Sequence, residues 1–112
     1  MRLKSTSVES ISRRVSLMEL AAIRLMKPQL SDGETSVSIE MKVTHAAPGV
    51  GGMLRAVASY AGISGRVHRF RIHVFDESGL IGSAEHTRAV VIERRLLALE
   101  RRGASAGASL SA

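Results

Sequence analysis

The first regular pattern in the chain is a run of apolar residues that recur every three to four positions between Ser12 and Lys27. This spacing predicts an amphipathic helix over 12–27. Ser12 is the expected capping residue, and the helix ends before Pro28 because a proline pushes the preceding residue out of the helical region. The predicted buried stripe consists of Val15, Met18, Glu19, Ala22, Leu25 and Met26. Glu19 therefore places a carboxylate within an apolar stripe.

After a predicted turn at 31–33, the period of the pattern changes from 3.6 residues to two. Val37, Ile39, Met41 and Val43 alternate with polar residues, which predicts a strand with one buried face. His45 continues the same parity at the end of this strand, so we expect its imidazole to face the core as well.

The rest of the chain alternates strand patterns with turns. Three further strands and a short helix are predicted, at 53–62, 66–75, 80–92 and 93–102. Phe70, Ile72 and Val74 share one face of the third predicted strand, and His86, Arg88, Val90 and Ile92 share one face of the last. One helix followed by a four-stranded antiparallel meander is an α+β arrangement in which the helix must cover the sheet. The expected architecture is a hotdog fold, an antiparallel sheet of four to five strands wrapped around one central helix.

Composition limits the classes to which the chain can belong. Its 112 residues and 45% apolar content fit one domain, expected at 1–102 and followed by a flexible Gly/Ala/Ser tail at 103–112. The absence of cysteine excludes disulfides and thiolate chemistry and favours a reducing, cytoplasmic location. We expect no membrane association, because no apolar run approaches the ~20 residues of a membrane span and the N-terminus lacks the apolar core of a secretory signal.

The charge is unbalanced, with 16 Lys and Arg against 10 Asp and Glu, and the net charge of +6 favours anionic partners. Nucleic acid is the weakest of these expectations, because surface aromatics do not interleave the basic positions and no nucleic-acid-binding motif accompanies the charge. Four histidines without cysteine or close pairing do not predict a metal site.

Glu19 and His45 are the two polar residues that break an apolar pattern. Taken alone, each has an ordinary structural explanation, as a carboxylate that reaches the surface or a hydrogen-bonded histidine at a strand end. Together, a carboxylate on the helix and an imidazole on the strand packed against it could meet, and such a pair can activate water and carry protons near neutral pH. Arg88 offers a planar fork for a phosphate or carboxylate, and His86 shares its face.

Three segments of the chain resemble one known family. They are 16–22 (SLMELAA), 43–48 (VTHAAP) and 79–91 (GLIGSAEHTRAVV). Their order and spacing are similar to those of the fluoroacetyl-CoA thioesterase-like hotdog proteins. The resemblance implies hydrolysis of a small or medium acyl-CoA thioester, without a cofactor, at an interface between subunits of a homodimer or tetramer. It also implies catalytic roles for Glu19 and His45, a substrate- or CoA-binding role for Arg88, and a place for His86 in the same block.

The chain departs from the family pattern in three places, one of which is Ser38, where a glycine is expected near the start of the first sheet strand. The family has a third catalytic residue, a threonine eight positions before the glutamate, and Ile11 occupies that position here. We also expect the N-terminal segment that supplies a further strand and a lid in the family to be shortened here. An alternative interpretation is therefore a hotdog protein that binds an acyl-CoA or another acyl ligand without hydrolysing it.

Overall fold

The computed structural model describes the backbone of residues 2–5, 9–45, 47 and 52–110, and the side chains of 11–45, 47 and 52–103. Within these residues the elements in chain order are β1 Arg2–Ser5, α1 Glu9–Met26, β2 Glu34–His45, β3 Gly52–Ser64, β4 Val67–Asp76, β5 Gly79–Ile92 and α2 Glu93–Leu110. A short 3-10 helix over Lys27–Gln29 follows α1, so the α-helix ends before Pro28 as expected. Apart from residue 47, the Gly-rich connection between β2 and β3 lies outside the described residues up to Gly52.

The strands form one antiparallel sheet in the order β1-β3-β4-β5-β2. β3, β4 and β5 form a meander, but β2 pairs with β5 and not with β3. The predicted four-stranded meander is therefore wrong at its first step, because alternation shows which face of a strand is buried and not which strand lies beside it. β1 pairs with β3 and adds a fifth strand at the opposite edge.

Helix α1 lies across one face of the sheet and buries its apolar stripe there. The core consists of Leu17, Met18, Ala22 and Met26 from the helix and of Leu54, Ala56, Phe70, Ile72, Val74, Ile81, Ala84 and Val90 from the sheet. The buried side of the helix is rotated toward Leu17 and Arg14, so Val15 and Glu19 lie at its border and are partly exposed. Burial of Leu17 beside Met18 removes more apolar area from water than burial of Val15 would. The prediction that Glu19 lies within the buried stripe is thus wrong by a fraction of a turn.

A β-bulge at Ile39 changes the face on which the side chains of β2 lie. After the bulge, Met41 and His45 lie on the face that α1 covers, as predicted. Before the bulge, Val37 lies opposite Ala89 on the other face, and Ile39 itself is 57% exposed. The prediction that Val37 and Ile39 face the core is wrong, because strict alternation makes no allowance for an extra residue in the strand.

The C-terminal helix extends beyond its predicted end at residue 102. Since α2 covers Glu93–Leu110, the helical backbone continues through most of the segment predicted as a tail. The flexibility of that tail stays a prediction. Across the described part of the chain, neither helix has both the length and the apolar character needed to span a bilayer.

Candidate active site

Arg88 occupies the centre of a hydrogen-bonded cluster on the covered face of the sheet and is 4% exposed. Its Nη1 donates to Glu19 Oε1 at 3.2 Å, which joins β5 to α1. Its Nε donates to Ser36 Oγ at 2.9 Å and its Nη2 to the Ser36 carbonyl at 3.1 Å, which joins β5 to β2. Three elements therefore fix the plane of one guanidinium group.

His86 lies next to Arg88 on the same strand face and is 1% exposed. Its Nδ1 is 2.9 Å from the carbonyl oxygen of Glu40, so the Nδ1–H group donates to that carbonyl. Its Nε2 lies 3.3 Å from Arg88 Nη1 and accepts from it. Burial lowers the pKa of His86 below its usual value, the charge of Arg88 acts in the same direction, and the Glu40 carbonyl and the Glu19 carboxylate partly oppose both. His86 is therefore a neutral imidazole with an assigned tautomer.

The Glu19 carboxylate is held but not enclosed. Its contact with Arg88 fixes one oxygen, while 42% of the side chain is exposed to solvent. A carboxylate in this setting can accept a proton from a water molecule that reaches its open side. Thus the structure brings together Glu19, Arg88 and His86, three of the four residues singled out from the sequence.

His45, the fourth, lies at the end of β2 opposite Gly82, and its side chain is exposed. A Cβ atom on Gly82 would lie 3.3 Å from the Thr44 carbonyl oxygen, 3.7 Å from Met18 Cε and 3.8 Å from His45 Nδ1. The Gly82 position is thus in contact with both the helix and the His45 imidazole, and its tightest neighbour is the Thr44 carbonyl.

Arg14 accompanies His45 and was missed by the sequence analysis. This arginine is 1% exposed, and its Nη1 lies 3.0 Å from the Ala47 carbonyl oxygen, 3.3 Å from the Ile81 carbonyl oxygen and 3.4 Å from His45 Nδ1. The signal that could have found it is its spacing. Arg14 lies four positions before Met18, so it belongs to the buried stripe as much as Glu19 does.

The two candidate catalytic residues lie in neighbouring clusters, because Glu19 contacts Arg88 while His45 contacts Arg14. The β2–β5 pairing places His45 beside Gly82 and Ser38 beside Arg88. Gly82 and Arg88 are six residues apart on β5, which corresponds to ~20 Å along a strand. The chain thus carries a carboxylate cluster of Glu19, Arg88 and His86 and an imidazole cluster of His45 and Arg14.

Ile11 lies in the first turn of α1, about two turns before Glu19, and is 52% exposed. The side chain at the position of the family threonine is therefore apolar and open to solvent. Among the described residues, histidines and carboxylates do not group into a cluster that could hold a metal ion.

Comparisons with known proteins identify the family and the fold that the chain resembles. Residues 3–94 match the family model described as FlK, fluoroacetyl-CoA-specific thioesterase. The fluoroacetyl-CoA thioesterase of Streptantibioticus cattleyicolor is 36% identical over 94 residues, which cover 83% of this chain and 68% of that protein.

Solved structures show the same fold. A hypothetical protein of Thermus thermophilus, described as a thioesterase superfamily member, superimposes with a TM-score of 0.82 at 26% identity over 88% of this chain and 73% of that one. A mutant of the fluoroacetyl-CoA thioesterase FlK with fluoroacetate gives 0.76 at 33% identity, over 82% and 70% of the two chains. Another FlK mutant, with fluoroacetate and CoA, gives 0.79 at 26% identity, over 92% and 98%. The predicted α+β hotdog fold is confirmed.

Proposed function

Because the chain belongs to the fluoroacetyl-CoA-specific thioesterase family, we propose that it hydrolyses a small or medium acyl-CoA thioester. The observation that carries the proposal is the contact between Glu19 and Arg88, 3.2 Å long, at a carboxylate that remains open to solvent. The resemblance to the family assigns a catalytic role to the same carboxylate.

Glu19 is the general base of the proposed reaction. As the oxygen of a water molecule bonds to the thioester carbonyl carbon, one water proton passes to the carboxylate and an electron pair moves onto the carbonyl oxygen. When this tetrahedral intermediate collapses, the carbon–sulfur bond breaks and the sulfur leaves with the bonding electrons. The proton held by Glu19 returns to the sulfur, so that the products are a carboxylic acid and the CoA thiol. His45 assists the departure of the sulfur.

Arg88 and His86 hold the base in place. The guanidinium donates to Glu19, Ser36 and His86 through all three of its nitrogens, which favours a positioning role over direct capture of a CoA phosphate. His86 in turn restrains Arg88 because its Nδ1–H is tied to the backbone of β2. The role of both residues in binding CoA stays a prediction.

We place the complete site between two copies of the chain. β2 is an edge strand, and an edge strand with free backbone groups can pair with a second copy of itself. Antiparallel pairing about a twofold axis near the middle of β2 would bring His45 of one copy level with Ser36 of the other. The imidazole cluster of one protomer would then meet the carboxylate cluster of its partner.

A panel of acyl-CoA thioesters of increasing chain length, assayed with a thiol-trapping dye, tests the proposed activity. We expect turnover of at least one short or medium substrate, and an about 100-fold or greater loss of kcat/KM in Glu19→Gln. Glu85→Gln is the matched control, because Glu85 is an exposed carboxylate on the opposite face of the sheet. Turnover at the background rate for every substrate would overturn the proposal.

A second candidate function is binding without hydrolysis, and the observation that favours it is Ile11 at the position of the family threonine. Isothermal titration calorimetry followed by mass spectrometry of the bound ligand separates the two functions. An acyl-CoA that binds and remains intact for hours supports the binding protein, whereas release of free CoA supports the enzyme.

A further inference from the structure

Arg14 is a buried cation that the proposed reaction does not yet use. It is 1% exposed on the covered side of α1, in a position where an apolar residue would complete the stripe that contains Met18 and Ala22. Removing a guanidinium from water is costly unless acceptors surround it. The hydrogen-bond acceptors around the Arg14 guanidinium therefore indicate why an arginine is buried at this position.

Backbone carbonyl groups hold the Arg14 guanidinium. Arg14 Nη1 lies 3.0 Å from the carbonyl oxygen of Ala47 and 3.3 Å from that of Ile81. These two backbone segments are themselves joined, because the Ala47 N–H donates to the Ile81 carbonyl at 3.3 Å. The end of the Arg14 side chain is thus fixed to the sheet at the point where β2 has just ended.

The same Nη1 lies 3.4 Å from His45 Nδ1. A guanidinium nitrogen can only donate, so Nδ1 must offer its lone pair in this contact. A neutral imidazole carries its single proton on the other nitrogen, which makes Nε2–H the tautomer consistent with this contact.

We propose that Arg14 is a positioning residue that holds His45 in the Nε2–H tautomer, so that His45 acts as a hydrogen-bond donor in the thioesterase reaction. A histidine that serves as a base usually donates its Nδ1–H to a carbonyl or carboxylate and presents the Nε2 lone pair. Here Arg14 Nη1, which also contacts the Ala47 and Ile81 carbonyls, faces Nδ1 in the place of that acceptor. The Nε2–H group is then available to stabilise the carbonyl oxygen or the departing sulfur, and Glu19 remains the base.

The proposal rests on the proposed function for its catalytic part, but the tautomer can be measured without any substrate. Long-range ¹H–¹⁵N spectra of the uniformly labelled full chain distinguish a protonated ring nitrogen from one with a free lone pair, and His45→Gln assigns the signals. We expect Nε2–H in the wild type. A wild-type His45 that carries its proton on Nδ1 would overturn the proposal.

Arg14→Gln is the principal variant, because its amide can still donate to the carbonyls while its oxygen can accept from a protonated Nδ1. We expect the Nδ1–H tautomer to become populated in Arg14→Gln and to be absent in Arg14→Lys, whose ammonium group can only donate. Arg24→Met, which removes an exposed arginine of the same helix, is the control for charge and should leave the His45 signals unchanged. Circular dichroism checks folding, and if Arg14→Gln does not fold, loss of the Nε2–H form in Arg14→Lys overturns the proposal.

The kinetic arm uses whichever acyl-CoA the wild type hydrolyses. Arg14→Gln should lower kcat about 10- to 100-fold with KM changed less than about twofold, and Arg14→Lys should recover most of the loss. An equal loss in both variants, with an unchanged tautomer in each, would show that Arg14 serves stability alone and contradict the proposal. If the wild type hydrolyses no acyl-CoA, the proposed function fails while the spectra still decide the role of Arg14.

Discussion

Glu19 and Arg88 form an ion pair across 69 positions of the chain, with Glu19 Oε1 and Arg88 Nη1 3.2 Å apart. The two partners differ in environment, because the Arg88 side chain is 5% exposed and the Glu19 side chain 42%. The cation is fixed within the protein by further hydrogen bonds, whereas the anion lies where water can reach it. This combination suits a base, whose carboxylate must keep its direction and still meet a water molecule.

Arg88→Lys should weaken both the fold and the reaction, because an ammonium group cannot reproduce the planar set of contacts to Glu19 and Ser36. We expect the free energy of unfolding to fall by about 1–3 kcal/mol in urea titrations at fixed protein concentration. Arg66→Lys is the control, since Arg66 is 56% exposed and its pairing with Glu34 should contribute less than about 1 kcal/mol. Equal stability of Arg88→Lys and the wild type would contradict this assignment.

His86 should make the stability of the protein depend on pH below neutrality. Burial lowers the pKa of His86 in the folded state below its ordinary value of 6.5, so the unfolded chain binds more protons between the two pKa values. The stabilisation is present above pH 6.5 and is lost as the pH falls through the folded-state pKa.

Urea midpoints measured at several pH values between 8 and 5 check this expectation. The decrease on acidification should be smaller in His86→Gln than in the wild type, whereas His73→Gln, on the opposite face of the sheet, should keep the decrease that His86 contributes. Identical pH profiles for wild type and His86→Gln would rule out this role of the buried imidazole.

Ile11→Thr should increase kcat/KM at least several-fold, because it supplies a hydroxyl two helical turns before Glu19, where the family has one. Ile11 is 52% exposed, so the substitution should cost little stability. Ile11→Val is the matched control, since valine has the shape of threonine without the hydroxyl. An equal rate in both variants would mean that the reaction runs without this group.

A site shared between protomers should be restored by mixing two inactive variants. Glu19→Gln supplies an intact His45, and His45→Gln supplies an intact Glu19, so a hybrid dimer contains one complete site. After co-refolding we expect up to about a quarter of the wild-type activity, because half of the dimers are hybrids with one of two sites intact.

Light scattering after gel filtration checks the assembly on which this experiment depends. The expected mass is at least twice the 12.0 kDa of one chain. Activity that does not return on mixing, although hybrid dimers form, would place each site within a single protomer.

The sequence and the structure agree best where the alternation of apolar and polar residues predicts which side chains are buried. Phe70, Ile72 and Val74 alternate along β4 and are all buried, because the period of a strand determines which side chains share a face. Glu19 and Arg88 were found because each interrupts such a pattern or offers distinctive chemistry. The contact between them could not be predicted, since nothing in either segment specifies the position of α1 relative to β5.

Arg14 and Ser36 show what sequence patterns miss. A buried arginine and an exposed one have the same residue type, and only the carbonyl groups of Ala47 and Ile81 reveal that Arg14 has acceptors inside. Ser36 is one of the polar residues that alternate with Val37 and Ile39, so the pattern predicts an outward side chain, although this side chain accepts from Arg88. The two errors have different causes: the acceptors of Arg14 come from segments distant in the chain, whereas Ser36 faces inward because the bulge at Ile39 changes the parity of β2.

The extra residue at Ile39 allows two site residues of β2 to share one face of the sheet. Ser36, which holds Arg88, and His45 are nine positions apart on one strand, and an odd separation puts two side chains on opposite faces of any regular strand. The extra residue of the bulge reverses the alternation of side chains, so Ser36 and His45 lie on the same face. Deletion of one residue there would leave a strand of ordinary geometry that can present either the serine or the histidine beneath α1, never both. A transplant of this site onto a regular strand must therefore begin by making that spacing even.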